Sequence, residues 1–295
     1  MPIRASVAVV SGALALSALA VPAAHAADGG SSYRSEIAKV FAQHTSGEAA
    51  ISATPAPEGD LGVSFSDFKI AKVIKVGTTA PVSAVVSYQL TYGADVDVDA
   101  DSFLSFAGIY RGDFDDPSAG QSGDEPATCV ATSATTATCK GAIDIDPTEV
   151  DPEFRLRNWQ AGTWHAAAVA LDVKAGKSST QSDLATTLVQ RNSRLTVNAA
   201  PEPVKKGRTL TVTGKLSRAN WETRKYAGYT DQSVKLQFRK KGSSTYTTLK
   251  TIKSNSTGDL KTTTTASVDG YYRFAFAGTS TTPAVNATGD FVDVQ

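Results

Sequence analysis

The most restrictive feature of this sequence is an alternation of apolar and polar residues with a period of two. It is clear where Val82, Ala84, Val86, Tyr88 and Leu90 fall on one side of an extended chain. Successive side chains of a β-strand point to opposite faces, so the pattern predicts a strand with one buried face. Apolar runs in the same half predict further strands at residues 103–110, 128–132, 137–145, 164–172 and 184–190. Because no long segment has helical periodicity, we predict an all-β fold.

The second half of the chain repeats this style with seven short predicted strands. Their apolar positions include Leu210, Val212, Val234, Leu236 and Phe274. Strands of this number and spacing are typical of an immunoglobulin-like sandwich. A chain of 295 residues can hold two domains of ordinary size. We therefore predict two tandem immunoglobulin-like β-sandwiches, at residues 58–192 and 193–295.

A weak internal repeat supports two copies of one architecture. In both halves a large aromatic residue follows a glycine by two positions, at Trp164 and at Tyr272. The strand register predicts that Trp164 and Tyr272 point into the cores. Their neighbours His165 and Arg273 are predicted to point outward.

The N-terminal residues have the pattern of a cleaved signal peptide. Arg4 supplies a positive charge, residues 5–21 are apolar, and Ala24, His25 and Ala26 form a cleavage motif. A membrane anchor is the alternative, but the run is short and no basic cluster follows it. Residues 1–26 are thus predicted to be a signal peptide, and residues 27–57 a leader and linker in which 32–48 form either one short helix or a frayed leader. We expect a secreted, extracellular protein whose mature chain does not span a membrane.

Two cysteines, Cys129 and Cys139, flank a Thr/Ala/Ser stretch with a predicted turn near Ala134. In an oxidising compartment this spacing predicts a hairpin with a disulfide across its two strands. A redox or metal-binding pair is the alternative, but neither a C-x-x-C spacing nor a nearby histidine supports it. We predict a structural disulfide.

Charge is distributed unequally along the chain. Residues 27–192 carry a net charge of −10 and residues 193–295 a net charge of +9, although the whole chain is neutral. Such asymmetry suggests that the halves meet different partners or each other. The basic half could bind an anionic cell-envelope polymer or another extracellular protein, or its charges could simply be solvated. No nucleic-acid recognition motif is found. The basic clusters are Lys205, Lys206 and Arg208; Arg224 and Lys225; and Arg239, Lys240 and Lys241.

Four aspartates stand at alternate positions in the acidic half: Asp95, Asp97, Asp99 and Asp101. In an extended chain their carboxylates would share one side and repel each other unless water or a cation intervened. Ca²⁺ takes six to eight oxygen ligands, and Asp113, Asp115 and Asp116 could add to this set from a neighbouring loop. The run lacks the glycine and closing glutamate of an EF-hand. Two interpretations remain open, a calcium site and a solvated acidic loop.

The sequence offers little material for catalysis. The mature chain holds two histidines, His44 and His165, and neither lies in a nucleophile-elbow or zinc-protease motif. We predict a non-enzymatic protein that binds or supports structures outside the cell. The alternative is a secreted hydrolase with an acidic cleft in the first domain, because paired carboxylates leave no local signature.

Several segments resemble a family of small secreted actinobacterial proteins. They are LTVNAAPEPVKKG at 195–207, NWET at 220–223, VKLQFRKKG at 234–242 and DFVDV at 290–294. The resemblance covers the last hundred residues closely and the first domain more loosely. It implies secretion and an immunoglobulin-like fold, and some members carry the label calcium-binding protein. It implies no catalytic residue.

Overall fold

The computed structural model describes residues 59–295. The predicted signal peptide (1–26), the leader and linker (27–57) and His44 lie outside the described residues. Residues 59–295 form twenty β-strands and a single 3-10 helix, Asn158–Gln160. Across this described range, no helix is long and apolar enough to cross a membrane. The prediction of an all-β fold is confirmed.

The first ten strands form two facing sheets. One sheet has the order β1-β10-β9-β5-β6, with β3 also paired to β10, and the other has the order β2-β4-β8-β7. In chain order the strands are β1 (Gly59–Asp60), β2 (Ser64–Ile70), β3 (Val73–Val76), β4 (Val82–Thr91), β5 (Phe103–Gly112), β6 (Pro117–Ser122), β7 (Thr128–Ser133), β8 (Thr136–Ile145), β9 (Gly162–Asp172) and β10 (Lys177–Arg191).

The inner faces of these two sheets enclose the first core. Tyr88 and Leu90 are buried in it, whereas Val85 on the opposite side of β4 is 73% exposed, as the alternation predicts. Trp164 is fully buried, and its indole N–H donates to the carbonyl of Gln160 over 2.8 Å. The predicted inward direction of Trp164 is therefore confirmed.

Strands β7 and β8 form the predicted disulfide-bonded hairpin. Cys129 and Cys139 lie directly opposite each other in the strand register, with 4.0 Å between their Cα atoms, and their sulfurs are bonded. The chain turns at residues 134–135 between the two strands. Because β7 has a partner on one side alone, the bond fixes an edge strand to the strand beside it.

The last ten strands form a second pair of sheets. In one sheet β13 pairs with β11, β12, β14 and β17; in the other the order is β16-β15-β18-β19, with β20 also paired to β18. The strands are β11 (Ser193–Leu195), β12 (Asn198–Ala200), β13 (Thr209–Asn220), β14 (Lys225–Gly228), β15 (Ser233–Lys240), β16 (Thr247–Lys253), β17 (Asp259–Thr265), β18 (Gly270–Phe276), β19 (Val285–Asn286) and β20 (Asp290–Val292).

The second core lies between these sheets and has its own set of buried residues. Leu210, Val212 and Leu236 are fully buried, and Tyr272 and Phe274 project into the same cluster from β18. The prediction that Tyr272 points inward is confirmed. The fold is thus two tandem immunoglobulin-like sandwiches, as predicted.

The second half also contributes side chains to the first core. Ala219, at the end of β13, and Trp221 are essentially unexposed and belong to the first apolar cluster. The Trp221 indole N–H donates to the carbonyl of Val76 over 3.4 Å, and Arg191 Nε donates to the carbonyl of Ala219 over 2.6 Å. Burial, aided by the like charge of Arg218, lowers the pKa of Arg191 to about 10. The two sandwiches therefore share a packed junction.

Polar side chains surround Trp221 at this junction. Asn158 Oδ1 accepts the backbone N–H of Trp221 over 3.1 Å, and Asn158 Nδ2 donates to Asn220 Oδ1 over 3.0 Å. The Asn158 backbone and side chain also donate to the Glu222 carboxylate. The bonds to Trp221 and Asn220 are partly buried and those to Glu222 are exposed, and together they add direction to the apolar contact.

Replacing Trp221 with alanine should lower the free energy of unfolding by about 3–5 kcal/mol, because it leaves a cavity in a packed core. Denaturant unfolding followed by circular dichroism measures the change. The matched control is Trp159→Ala, since Trp159 is 55% exposed and its loss should cost no more than about 0.5 kcal/mol. Equal losses in the two variants would contradict the importance of the junction.

Candidate functional site

A basic and aromatic surface covers the outer side of the sheet formed by β16, β15, β18 and β20. On β18, Tyr272 and Phe274 point into the core, so Tyr271 and Arg273 must point outward. On β15, Leu236 is buried while Arg239 lies on the opposite face, partly exposed. The predicted outward direction of Arg273 is confirmed.

The strand register brings these outward residues into rows. Arg239 lies opposite Tyr271, and Tyr271 lies opposite Phe291 on β20. Gln237 lies opposite Arg273 one step along the sheet. Cross-strand neighbours on one face contact each other directly, so the two arginines lie next to aromatic and polar side chains of the neighbouring strands.

The side chains are stacked as well as adjacent. The Arg239 guanidinium lies 4.1 Å from the centroid of Tyr271 and 5.3 Å from that of Tyr246, and the Arg273 guanidinium lies 3.7 Å from Tyr246. The rings of Tyr271 and Phe291 lie 5.2 Å apart. Stacking of this kind holds a guanidinium in place and leaves its edge for a ligand. We call Arg239, Tyr246, Tyr271, Arg273 and Phe291 the basic-aromatic face.

The charges of the basic-aromatic face have no acidic partner among residues 59–295. Ion pairs in this range join His165, Lys215, Lys241 and Lys253 to aspartates, and none includes Arg239 or Arg273. Arg239 Nη1 donates to the carbonyl of Ser243 over 2.5 Å, and Arg273 Nε donates to Gln237 Oε1 over 2.9 Å. Both guanidinium groups are thus oriented by neutral acceptors.

Two of the basic clusters predicted from the sequence lie together at one end of this domain. Val204, next to Lys205, pairs with Val294, whose backbone N–H donates to Asp269 Oδ1 over 3.0 Å. Lys241 Nζ donates to the other oxygen of Asp269 over 3.3 Å. The Val294 bond, followed by Lys241, holds the pKa of the Asp269 carboxyl below its usual value. The Lys205 and Lys241 clusters therefore continue the positive charge beyond the end of β15.

The third basic cluster has a different place. Arg224 Nη2 donates to the carbonyl of Thr148 in the first sandwich over 2.7 Å, so this arginine belongs to the junction. Sequence reasoning missed Tyr246 and Tyr271 as partners of the arginines, and Phe291 as a partner of Tyr271. The outward direction of Tyr271 could have been predicted from the alternation along β18, because it is the neighbour of the inward-facing Tyr272.

The acidic run of the first sandwich is not an extended strand. It lies in the loop between β4 and β5, with turns at residues 94–95 and 98–102. Asp97 Oδ1 accepts the backbone N–H of Asp99 over 3.0 Å, a local bond that competes with strand pairing. Asp95, Asp97, Asp99 and Asp101 therefore lie in an inter-strand loop and do not line one side of an extended chain, because aspartate favours turns here.

The second acidic segment cannot complete a site with this run. Asp113, Asp115 and Asp116 follow the far end of β5, whereas the Asp95 run precedes its start. Ten strand residues separate these ends, roughly 30 Å at the usual rise. Within residues 59–295, no three His, Cys, Asp or Glu side chains are grouped so as to hold a metal ion. Calcium binding at the Asp95 run stays a prediction.

A cavity of about 420 Å³ lies at the edge of the six-stranded sheet in the first sandwich. If the protein were a hydrolase with an acidic cleft in the first sandwich, this cavity is where the cleft would lie. Its lining includes two carboxylates and several aromatic or polar side chains: Tyr110, Phe114, Asp116, Gln121, Glu153 and Phe154.

His165 lies near this cavity and points outward, as predicted. Its Nδ1 is 2.7 Å from Asp183 Oδ1, and the Tyr110 hydroxyl donates to the same oxygen over 3.0 Å. Burial, together with Asp183, raises the pKa of Tyr110 to about 12. Tyr110 is therefore a neutral hydrogen-bond donor at physiological pH.

Fold and surface together define a two-domain immunoglobulin-like protein with an open cationic sheet face. No family model matches the chain, and no curated protein matches it. Among solved structures it is similar to the Yersinia pseudotuberculosis adhesin InvE (11% identity, 76% of this chain, TM-score 0.25), and it spans 58% of that chain. It is also similar to a marsupial T cell receptor (12%, 78% of this chain and 73% of that one, 0.28) and to the D0-D1 domain of intimin (15%, 78% and 98%, 0.25).

A calcium ion at the Asp95 run should raise the melting temperature of the mature protein, because an ion that binds the native state alone stabilises it. At a calcium concentration one hundred times the dissociation constant, the free energy of unfolding should rise by about 2.7 kcal/mol. Magnesium should raise the melting temperature less than calcium does, since Mg²⁺ demands a stricter coordination geometry. Thermal unfolding with calcium, magnesium or a chelator measures this.

The double variant Asp97→Asn and Asp99→Asn is the control for the calcium experiment. It removes two charges and keeps an Oδ1 acceptor for the Asp99 turn, so it should abolish the calcium shift without weakening the apo protein. An unchanged melting temperature of the unmutated protein at millimolar calcium would contradict calcium binding.

Proposed function

We propose that this chain is a secreted extracellular protein that binds an anionic cell-envelope polymer through the basic-aromatic face. The observation that carries the proposal is the geometry of Arg239 and Arg273. Both are stacked on tyrosines, oriented by neutral acceptors, and free of ion pairs within residues 59–295. A folded protein that keeps oriented, uncompensated cations on one face has a surface suited to anions.

The expected extracellular location of the protein supports this proposal. The disulfide between Cys129 and Cys139 is a bond that persists in oxidising surroundings such as the extracellular space. The N-terminal pattern of residues 1–26 is that of a secreted precursor. A protein released through the envelope meets its anionic polymers at high local concentration.

The shape of the surface favours a polymer over a small ion. The basic-aromatic face lies on an open sheet, and the positive charge continues from it to the Lys241 and Lys205 clusters. A chain with repeated anionic groups can contact all of these cations at once. Several weak contacts on one chain add up to firm binding, because later contacts form within an existing complex.

The acidic first sandwich determines how the protein is oriented on the polymer. Its sequence carries most of the acidic residues of the mature chain, and the packed Trp221 junction links it to the basic sandwich. An anionic polymer repels the first sandwich while it attracts the second. We infer that the first sandwich faces away from the polymer, where another extracellular protein could meet it.

Replacing Arg239 and Arg273 together with glutamine should weaken binding of long-chain polyphosphate at least tenfold. Hydrogen bonds to charged groups are worth about 1.5–3 kcal/mol each, and tenfold is about 1.4 kcal/mol. Isothermal titration calorimetry on the mature protein measures the dissociation constant, and binding should weaken as salt rises.

The matched control replaces Lys225 and Lys261 with glutamine, which removes the same charge from exposed positions of the other sheet. This control should change the dissociation constant by less than about twofold, because distant surface charges are screened. Equal losses in both double variants would show binding by overall charge alone, and no binding by the unmutated protein would overturn the proposal. Unchanged polymer length after incubation, measured by gel electrophoresis, is expected of a protein that binds without hydrolysis.

A further inference from the structure

We propose that the anionic ligand is an acidic polysaccharide, with a sugar ring on Tyr271 and Phe291 and its acid groups on Arg239 and Arg273. This inference rests on the proposed function and adds the chemical class of the ligand. It starts from the aromatic rings, which a purely electrostatic surface for polyanions does not need.

Tyr271 and Phe291 form a partly exposed ring pair on the outer side of the sheet. Their centroids lie 5.2 Å apart at an interplanar angle of 56°, and Lys241 Nζ lies 5.3 Å from the Phe291 centroid. The faces of aromatic rings are electron-rich and attract polarised C–H groups. A sugar ring presents such C–H groups on one side and hydroxyl groups around its rim, whereas a phosphate chain presents only oxygens.

The spacing of the two arginines indicates a ligand with repeated acid groups. Arg239 on β15 lies opposite Tyr271 on β18, and Arg273 lies two residues after Tyr271 on β18. The two arginines are therefore diagonal neighbours. Diagonal positions on one sheet face are roughly 7–8 Å apart. This is far more than the separation of two oxygens in one carboxylate. The register thus places the two arginines at separate positions on the face, and one acid group of the ligand is assigned to each guanidinium, with the ring pair beside them.

Hydroxyl groups also border the face. Gln237 Nε2 is 3.4 Å from the Thr248 hydroxyl oxygen, and Gln237 Oε1 accepts from Arg273. The Tyr246 ring lies beside both arginines. Because hydroxyls both donate and accept, Thr248 and Tyr246 can exchange hydrogen bonds with sugar hydroxyls, which a surface of cations alone cannot do.

A glycine makes room for this arrangement. A Cβ atom at Gly289 would clash with the Tyr246 hydroxyl oxygen and would lie 3.2 Å from Tyr271 Cβ. Any side chain at this position would push Tyr246 away from Gly289. The open backbone just before β20 thus lets Tyr246 and Tyr271 approach each other across the face.

The experiment compares three polymers on the full mature chain by isothermal titration calorimetry. Alginate is the acidic polysaccharide, polyphosphate is a polyanion without sugar, and dextran is a sugar without charge. We expect alginate to bind more tightly than polyphosphate of equal charge, and dextran to show no binding.

The variant Phe291→Leu tests the sugar platform, because it keeps apolar volume and charge but removes the ring. It should weaken alginate binding about fivefold and leave polyphosphate binding within about twofold. Leu249→Ala is the control, since Leu249 is an exposed apolar residue on the same sheet. Melting curves of both variants confirm folding, and Gly289→Ala, which displaces Tyr246, should weaken alginate binding in the same sense.

The outcomes separate this inference from the proposed function. If alginate and polyphosphate bind equally, depend on Arg239 and Arg273, and ignore Phe291→Leu, the polysaccharide inference is overturned while polyanion binding stands. If no polyanion binds, both fall. Binding of dextran as tight as that of alginate would also overturn the inference, because the arginines would then have no role.

Discussion

The alternation of side chains along β-strands is the constraint on which the candidate face depends. Tyr272 and Phe274 must be buried to fill the second core, and this burial forces Tyr271 and Arg273 onto the solvent side of β18. The register then sets Arg239 beside Tyr271. The stability of the domain and the layout of its outer surface thus have one cause. A shift of register by one residue would expose the core and bury the arginines.

The junction turns two sandwiches of opposite charge into one unit. Trp221 is held in the first apolar cluster although it belongs to the second half, and Asn158 binds the backbone around it. Inter-domain contacts within a chain are often small and polar, and such domains move independently. Here a large aromatic side chain crosses the boundary, so the charge difference between the halves has a fixed orientation in the molecule.

Sequence reasoning predicted the strands, the inward Trp164 and Tyr272, and the disulfide hairpin, because each depends on local periodicity or spacing. It did not predict the ladder of arginines and aromatic rings, since Tyr246, Tyr271 and Phe291 are far apart in the chain and meet through strand pairing. The Asp95 run lies in a loop and not along an extended strand for a local reason. Aspartate side chains bond to nearby backbone N–H groups, and Asp97 does so with Asp99, which stabilises a turn.

The bond between Cys129 and Cys139 joins an edge strand to its neighbour near the start of β7, at the end of the hairpin away from its turn. Edge strands are where sheets fray and where the strands of other molecules can attach. Val130, beside the bond, is 60% exposed, so a loosened β7 would offer an apolar, unpaired edge. A covalent tie prevents β7 from separating from β8 even during brief opening of the sheet. The hairpin bond therefore protects this edge of the first sandwich against fraying and against pairing with strands of other molecules.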